Sequence, residues 1–399
     1  MNALSPDLGL EAVPRPLRSF RLGVLTLAHF LNDGAVNFLP GILPAVLVRL
    51  ALPDADAGVI MSALLIGQAL QPVMGWLADR YGRRWFFLPG LCLSTAGAAL
   101  VGVADSFALL IVVLLAVGVG NSAFHPPGLA AARDLAHERH ASRVMSIFLV
   151  GGEIGRGLWP FLASLIVVRF GFHGLLIFLI PTVLVAPWLF RAVPESGLVR
   201  TERAGRPWPS RVRPLLPLLG YAGLRSLLVY ASVTLIPLLW YRAGGSLVVG
   251  ATLISVQLLV GVIGNLGGGW LADHLGRRPV LAVMSLLSPL FLLAYLLVPL
   301  PWGYLLLGGL GITLFATLPV TIPISQDLCP DEPAFASGVA LGLGNALGAL
   351  GLLLLGALIP VIGIERTIWC AAGIGLLALP VALWGLPTEH PAHLTGGSR

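Results

Sequence analysis

Apolar runs of about 20 residues follow one another almost without pause along this chain, and that pattern leaves few folds open. A run of that length is what a helix needs to cross the hydrocarbon core of a bilayer. Within that core each backbone N–H and C=O must be satisfied inside its own segment, which dictates helices rather than an open sheet. Of the 399 residues 57% are hydrophobic and only 11% charged, against about a quarter charged in soluble domains. The chain therefore reads as an all-α membrane protein. Twelve spans are expected, at 20–50, 58–78, 86–104, 107–131, 144–168, 171–191, 214–241, 247–271, 279–298, 302–325, 337–361 and 366–386. The stretch Met1–Arg18 carries acids and prolines and lacks a short apolar core, so it is not expected to be a secretory signal.

Charge orients these spans. All 24 basic residues are arginine. With the N-terminus placed in the cytoplasm, eighteen arginines fall on or at the edge of that face and four, Arg49, Arg169, Arg242 and Arg366, on the other. That bias is the positive-inside pattern. Both termini are accordingly expected in the cytoplasm. The formal charge of +6 needs no nucleic-acid partner to explain it. Cys92, Cys329 and Cys370 lie too far apart for pairing or metal-ligand spacing and read as small packing residues. No metal or cofactor is expected.

A charged decamer then appears twice, "GWLADRYGRR" from Gly75 and "GWLADHLGRR" from Gly269, 194 residues apart in a chain of 399. The copying extends further: Asp134-Leu135 in "ARDLAHERHASRVMS" matches Asp327-Leu328 in "SQDLCPDEPAFASGVA". Between the copies lies the one long polar interior stretch, rich in arginine and proline, which reads as a linker. The expected organisation is a tail at 1–19, a six-helix bundle at 20–193, a linker at 194–213, a second six-helix bundle at 214–386 and a tail at 387–399. Parallel repeats about an axis normal to the membrane define a large class of transporters.

In the decamer, Gly75 allows close helix approach, Asp79 ends a helix, Gly82 permits a tight turn, and Arg83 and Arg84 hold the loop outside the bilayer. These residues resemble the signature loop between helices two and three of the major facilitator superfamily, and the resemblance covers essentially the whole chain. It implies a latch that opens and closes during alternating access. Asp79, Arg83, Arg84 and Arg133 would form it in the first half, and Asp273, Arg277 and Arg278 in the second. Arg133 is the expected partner of Asp79. Gln326 stands at the aligned position of the second half, so a weaker latch is expected there.

Ionisable side chains inside a span cost about 3 kcal/mol each at the bilayer centre and mark a pathway or site. Six stand out: His29, Asp33, His125, Glu153, Arg156 and Arg225. Asp33 follows Arg21 by twelve residues, about 18 Å into the membrane. His29 precedes it by one helical turn. His125 lies in "NSAFHPPG", where two prolines are expected to break helix four. Glu153 and Arg156 are three residues apart and form either a self-contained pair or part of a site. Arg225 has no acid within a turn of its own helix, which leaves Asp33, Glu153 or an anionic substrate as its partner. The polar residues Asn32, Asn121, Gln257, Asn265 and Asn345 either line a central cavity or tie helices together.

"LAHFLNDG", "GNSAFHPPGLAAAR" and "SIFLVGGEIGRGLWPFLAS" together resemble the fosmidomycin-resistance family of bacterial efflux proteins, with Pro127 standing where that family tends to carry Glu. The resemblance implies a proton-coupled exporter of a small anionic or amphipathic compound, acting as a monomer and driven by the proton gradient. Import of an organic anion on the same fold is the alternative. A receptor or enzyme is the remote one, since no HExxH, GxSxG or P-loop occurs in the chain.

Overall fold

In the computed structural model, residues 15–135, 141–193, 213–329 and 333–386 are described, and no strand occurs among them. Residues 1–14 of the expected first tail, 194–212 of the expected linker, 387–399 of the expected second tail and the Asp79 side chain lie outside the described residues. Among the described residues twelve long helices run as expected: α1 (Ser19–Arg49), α2 (Asp56–Ala78), α3 (Arg84–Val103), α4 (Phe107–Asp134), α6 (Phe172–Ala192), α7 (Arg213–Arg242), α8 (Leu247–Leu275), α9 (Arg277–Leu297), α10 (Trp302–Leu328), α11 (Ala336–Ile362) and α12 (Ile364–Gly385), with α5 (Ala141–Phe170) between the fourth and sixth. All of these except α5 meet the length and mean hydropathy needed to cross a bilayer. The 30 residues of α5 extend about 45 Å, and its interior carries Glu153 and Arg156.

The repeat seen in the sequence is a repeat in space. In the first half α1 packs on α5, α2 on α4 and α3 on α4; six helices later α7 packs on α11, α8 on α10 and α9 on α10. The two decamers make the same turn. Gly82 (φ +101°) and Gly276 (φ +89°) close it in the left-handed region, where a side chain would be strained. Gly75 faces Pro126 of α4 and Gly269 faces Pro319 of α10.

One correction follows. Helix four does not break at Pro126 and Pro127; α4 stays helical from Phe107 to Asp134 with both prolines inside it. Two missing donors inside a bundle are a local loss, because neighbours hold the helix on both sides of the defect. Phe124 stacks on Phe87 of α3 at 4.4 Å, and Ser122 Oγ donates to the Gly67 carbonyl of α2 at 2.5 Å. The expected partnership of Asp79 with Arg133 lies outside the described residues, while the arginines of both decamers pair with acids on the helix that follows. Arg83 pairs with Asp134 at 2.7 Å and Arg277 with Asp327 at 2.6 Å, so the second-half pair is as short as the first. Gln326 instead donates to Ser337 Oγ at 3.0 Å. Arg84 donates to the Val193 carbonyl at 2.8 Å, Arg133 and Asp273 are exposed, and Arg278 Nε is buried without a hydrogen-bond partner.

The halves meet along α2 with α11 and α5 with α8. Away from the decamers they are fastened by Asp54–Arg242 at 2.6 Å, by Ser62 Oγ donating to the Ala349 carbonyl at 2.7 Å, and by Gly58 against Gly356. Arg83–Asp134 and Arg277–Asp327, at the decamer end, each close within one half. The polar interior lies between these two levels.

Candidate functional site

Glycine spacing in α5 explains how α1 comes to present its polar face there. A Cβ at Gly155 would sit 2.1 Å from the Phe30 carbonyl oxygen, and one at Gly152 would sit 2.5 Å from the His29 ring. These positions must be glycine for the two helices to touch. The contact brings Arg156 onto α1, where its Nη2 lies 3.3 Å from Asp33 Oδ2. Its Nη1 lies 3.3 Å from Glu153 Oε2. The Glu153–Arg156 pair thus forms, and it also reaches Asp33.

Asp33, only 2% exposed, is the hub of this half. Its Oδ1 faces His29 Nε2 at 3.5 Å and His125 Nε2 at 3.2 Å, and accepts from Asn32 Nδ2 at 3.2 Å. Asn32 also donates to Asn121 Oδ1 at 2.8 Å and accepts from Ser94 Oγ at 2.7 Å. His29 Nδ1 lies 2.8 Å from the Phe148 carbonyl oxygen. His29, Asp33 and His125 offer ligand atoms within 4.8 Å of one another and are the one group of His, Cys, Asp or Glu among the described residues close enough to hold a metal ion.

The second half supplies a different chemistry. Arg225 Nη2 donates to Ser226 Oγ at 3.2 Å, while its Nη1 is buried with no hydrogen-bond partner. Neither Asp33 nor Glu153 pairs with it; Arg156 and the histidines already hold those carboxylates. From Ser226 a chain of donors runs back to the first half: Ser226 Oγ to Asn345 Oδ1 at 2.8 Å, then Asn345 Nδ2 to Gln68 Oε1 at 2.9 Å.

A cavity of about 130 Å³ lies between these groups, lined from both halves by Asp33, Asn121, His125, Arg156, Arg225 and Asn345 among others. Six of the residues singled out from the sequence therefore meet at one space. Asn32 lies behind this wall, as does His29. Glu153 and Asn265 bridge α5 to α8, with Asn265 Nδ2 donating to Glu153 Oε1 at 3.3 Å. Gln257 ties α8 to α7 through Ser232 at 2.7 Å. Asn37, Gln68, Ser226 and Tyr230 also line the cavity and were not singled out. Gln68 and Tyr230 carried the signal that would have found them, as lone polar groups within apolar runs.

A pair of pseudo-symmetric six-helix bundles around a polar cavity is the architecture of a membrane transporter. The chain matches the family model described as Major Facilitator Superfamily over residues 25–351 and again over 224–398, and it belongs to that superfamily. It is an integral membrane protein and not an enzyme. Among curated proteins it is 27% identical to the fosmidomycin resistance protein of Escherichia coli over 90% of this chain and 91% of that one. It is 27% identical to the uncharacterized MFS-type transporter YfnC of Bacillus subtilis over 92% of each, and 25% identical to the 4-hydroxybenzoate transporter PcaK of Pseudomonas aeruginosa over 71% of this chain and 72% of that one. Among solved structures, a bacterial homolog of the human lysosomal transporter Spinster, inward-facing and occupied, superposes with a TM-score of 0.73 at 17% identity, covering 93% of this chain and 94% of that one. The nucleoside transporter NupG gives 0.71 at 17% identity, covering 92% and 99%.

Proposed function

We propose that this protein exports a small anionic or amphipathic compound in exchange for protons, by alternating access to the cavity between its halves. One observation carries the reading: Arg225 brings a guanidinium to that cavity with no carboxylate beside it. A buried cation without a counter-ion is costly, and a bound anion offsets that cost. Tyr230, Asn121, Gln68 and Asn345 supply further hydrogen-bonding groups around it. Arg156 is already matched by Asp33 and Glu153, so it frames the site rather than capturing the ligand's charge.

Glu153 is the group best placed to couple proton uptake to movement. The contacts of Asp33 all stay within the first half. Glu153 holds Arg156 on its own helix and accepts from Asn265 across the interface. Adding a proton to its carboxylate weakens both contacts, one of which joins the halves. The arginine-rich end faces the cytoplasm in this reading, in the inner membrane of a bacterium, and a single chain suffices because it encloses the cavity alone.

Relatives named for fosmidomycin resistance and for 4-hydroxybenzoate transport supply two probes. In proteoliposomes, exchange drives labelled fosmidomycin or 4-hydroxybenzoate into vesicles that are acidic inside. Accumulation in vesicles that are alkaline inside would instead mean co-transport, the import reading. Binding of either probe without flux under both gradients would overturn transport of that compound.

A further inference from the structure

The scheme above leaves the His29–Asp33–His125 group unused, and its geometry has a problem that a proton-free, ion-free site does not solve. The Phe148 carbonyl can only accept, so His29 Nδ1, 2.8 Å away, carries the ring hydrogen. The bare Nε2 of a neutral ring then faces Asp33 Oδ1 at 3.5 Å, lone pair toward lone pair, in a place where both side chains are at most 4% exposed. Something positive belongs between them. His125 aims its own Nε2 at the same oxygen from α4, at 3.2 Å.

We infer that His29 Nε2, Asp33 Oδ1 and His125 Nε2 form a binding site for a divalent transition-metal ion of the zinc class, with an open coordination position facing the cavity. Bonds of about 2.1 Å in tetrahedral geometry set neighbouring ligand atoms about 3.4 Å apart. The two separations to Asp33 Oδ1, 3.5 Å and 3.2 Å, match that edge, and all three atoms already lie within 4.8 Å. The outer contacts are those a metal site requires, because a ligating histidine donates its other N–H to a carbonyl and a ligating carboxylate is itself hydrogen-bonded. His29 does the first through Phe148. Asp33 does the second through Oδ2, which Arg156 holds at 3.3 Å, and through Oδ1, which accepts from Asn32 Nδ2 at 3.2 Å and keeps a second lone pair for the ion. Glu153 on the other side of Arg156, at 3.3 Å, offsets the repulsion between that guanidinium and a bound cation. Two imidazoles with one carboxylate select zinc, cobalt or nickel over magnesium and calcium. His125 and Asp33 line the cavity while His29 lies behind it, so the ion enters, and keeps its free position, on the cavity side. The inference is independent of the direction of transport and of the proton's seat.

Cobalt provides the test, with the untagged full-length protein in detergent after chelator treatment. One Co²⁺ per chain is expected to bind with visible d–d absorption, displaced by zinc chloride and untouched by magnesium chloride. Asp33→Asn and His125→Ala should each weaken binding at least tenfold, while His274→Ala, at the exposed end of α8, leaves it unchanged. Crystals grown with zinc should show an anomalous peak among the three side chains, a readout that needs no variant. An absorption band that survives both Asp33→Asn and His125→Ala, or crystals with no zinc peak between α1 and α4, would overturn the site.

Discussion

At Arg225 a buried guanidinium nitrogen has no acceptor, so neutralising the side chain removes a charge that no carboxylate among the described residues pairs with. Arg225→Gln should raise KM for 4-hydroxybenzoate at least tenfold and leave uptake of its neutral amide nearly unchanged; equal losses for both would show a structural role instead. Glu153→Gln keeps the shape of the carboxylate and the reach to Asn265 while removing the titrating oxygen. Accumulation driven by a pH gradient should vanish in that variant, while exchange of labelled for unlabelled substrate continues. Full gradient-driven accumulation would remove Glu153 from coupling. These residues were legible because a charge in an apolar run is conspicuous, and six of those singled out do line one cavity. Their partners were not legible. Asp33 and Arg156 are 123 positions apart, and only the packing of α1 on α5 brings them together. His29 reads as a helix neighbour of Asp33 in the sequence, but its third companion, His125, comes from another helix.

Among the elements, the two decamer turns carry the next argument. Each joins a pair of helices and points an arginine at an acid on the helix that follows in the same half. Arg83–Asp134 and Arg277–Asp327 are partly exposed, with side-chain accessibilities of 26% and 57% in the first pair and 22% and 27% in the second. Either pair is worth under about 1 kcal/mol to stability. Arg83→Gln or Arg277→Gln should therefore move the melting temperature by no more than a few degrees, while lowering kcat several-fold with KM nearly constant. A stopped-flow or vesicle assay in which both parameters stay at wild-type values would reduce the turns to topology signals. The contrast at α5 is steep: Gly155→Leu drives a side chain into the Phe30 carbonyl and should abolish folded protein in detergent, as size-exclusion profiles would show. Sequence reading located these helices by their apolar runs and erred where the error is physical. Pro126 and Pro127 argue for a break locally, yet packing against α2 and α3 keeps α4 continuous. Nothing in the sequence singled out Asp134 as the partner of Arg83; the turn geometry brings the two together across 51 positions.

For the molecule as a whole, the fasteners between the halves include a set at the end away from the decamers. Away from the decamers the halves are joined by an ion pair at 2.6 Å, a serine-to-carbonyl hydrogen bond at 2.7 Å and a glycine-to-glycine contact; at the decamer end the pairs Arg83–Asp134 and Arg277–Asp327 each join two residues of one half. Alternating access by rocking of the halves then requires the Ser62–Ala349 level to part once in every cycle. Ser62→Cys with Ala349→Cys, in a background where Cys92, Cys329 and Cys370 are serine, should form a disulfide, because Ser62 Oγ already touches the Ala349 backbone. Cross-linked protein should bind substrate from the decamer end and carry none across, and a reductant should restore flux. Undiminished transport with the disulfide shown intact by mass spectrometry would mean that this end never opens. The rocking mechanism would then fail, even though the repeated decamer, read at a spacing of half the chain, had correctly announced two halves.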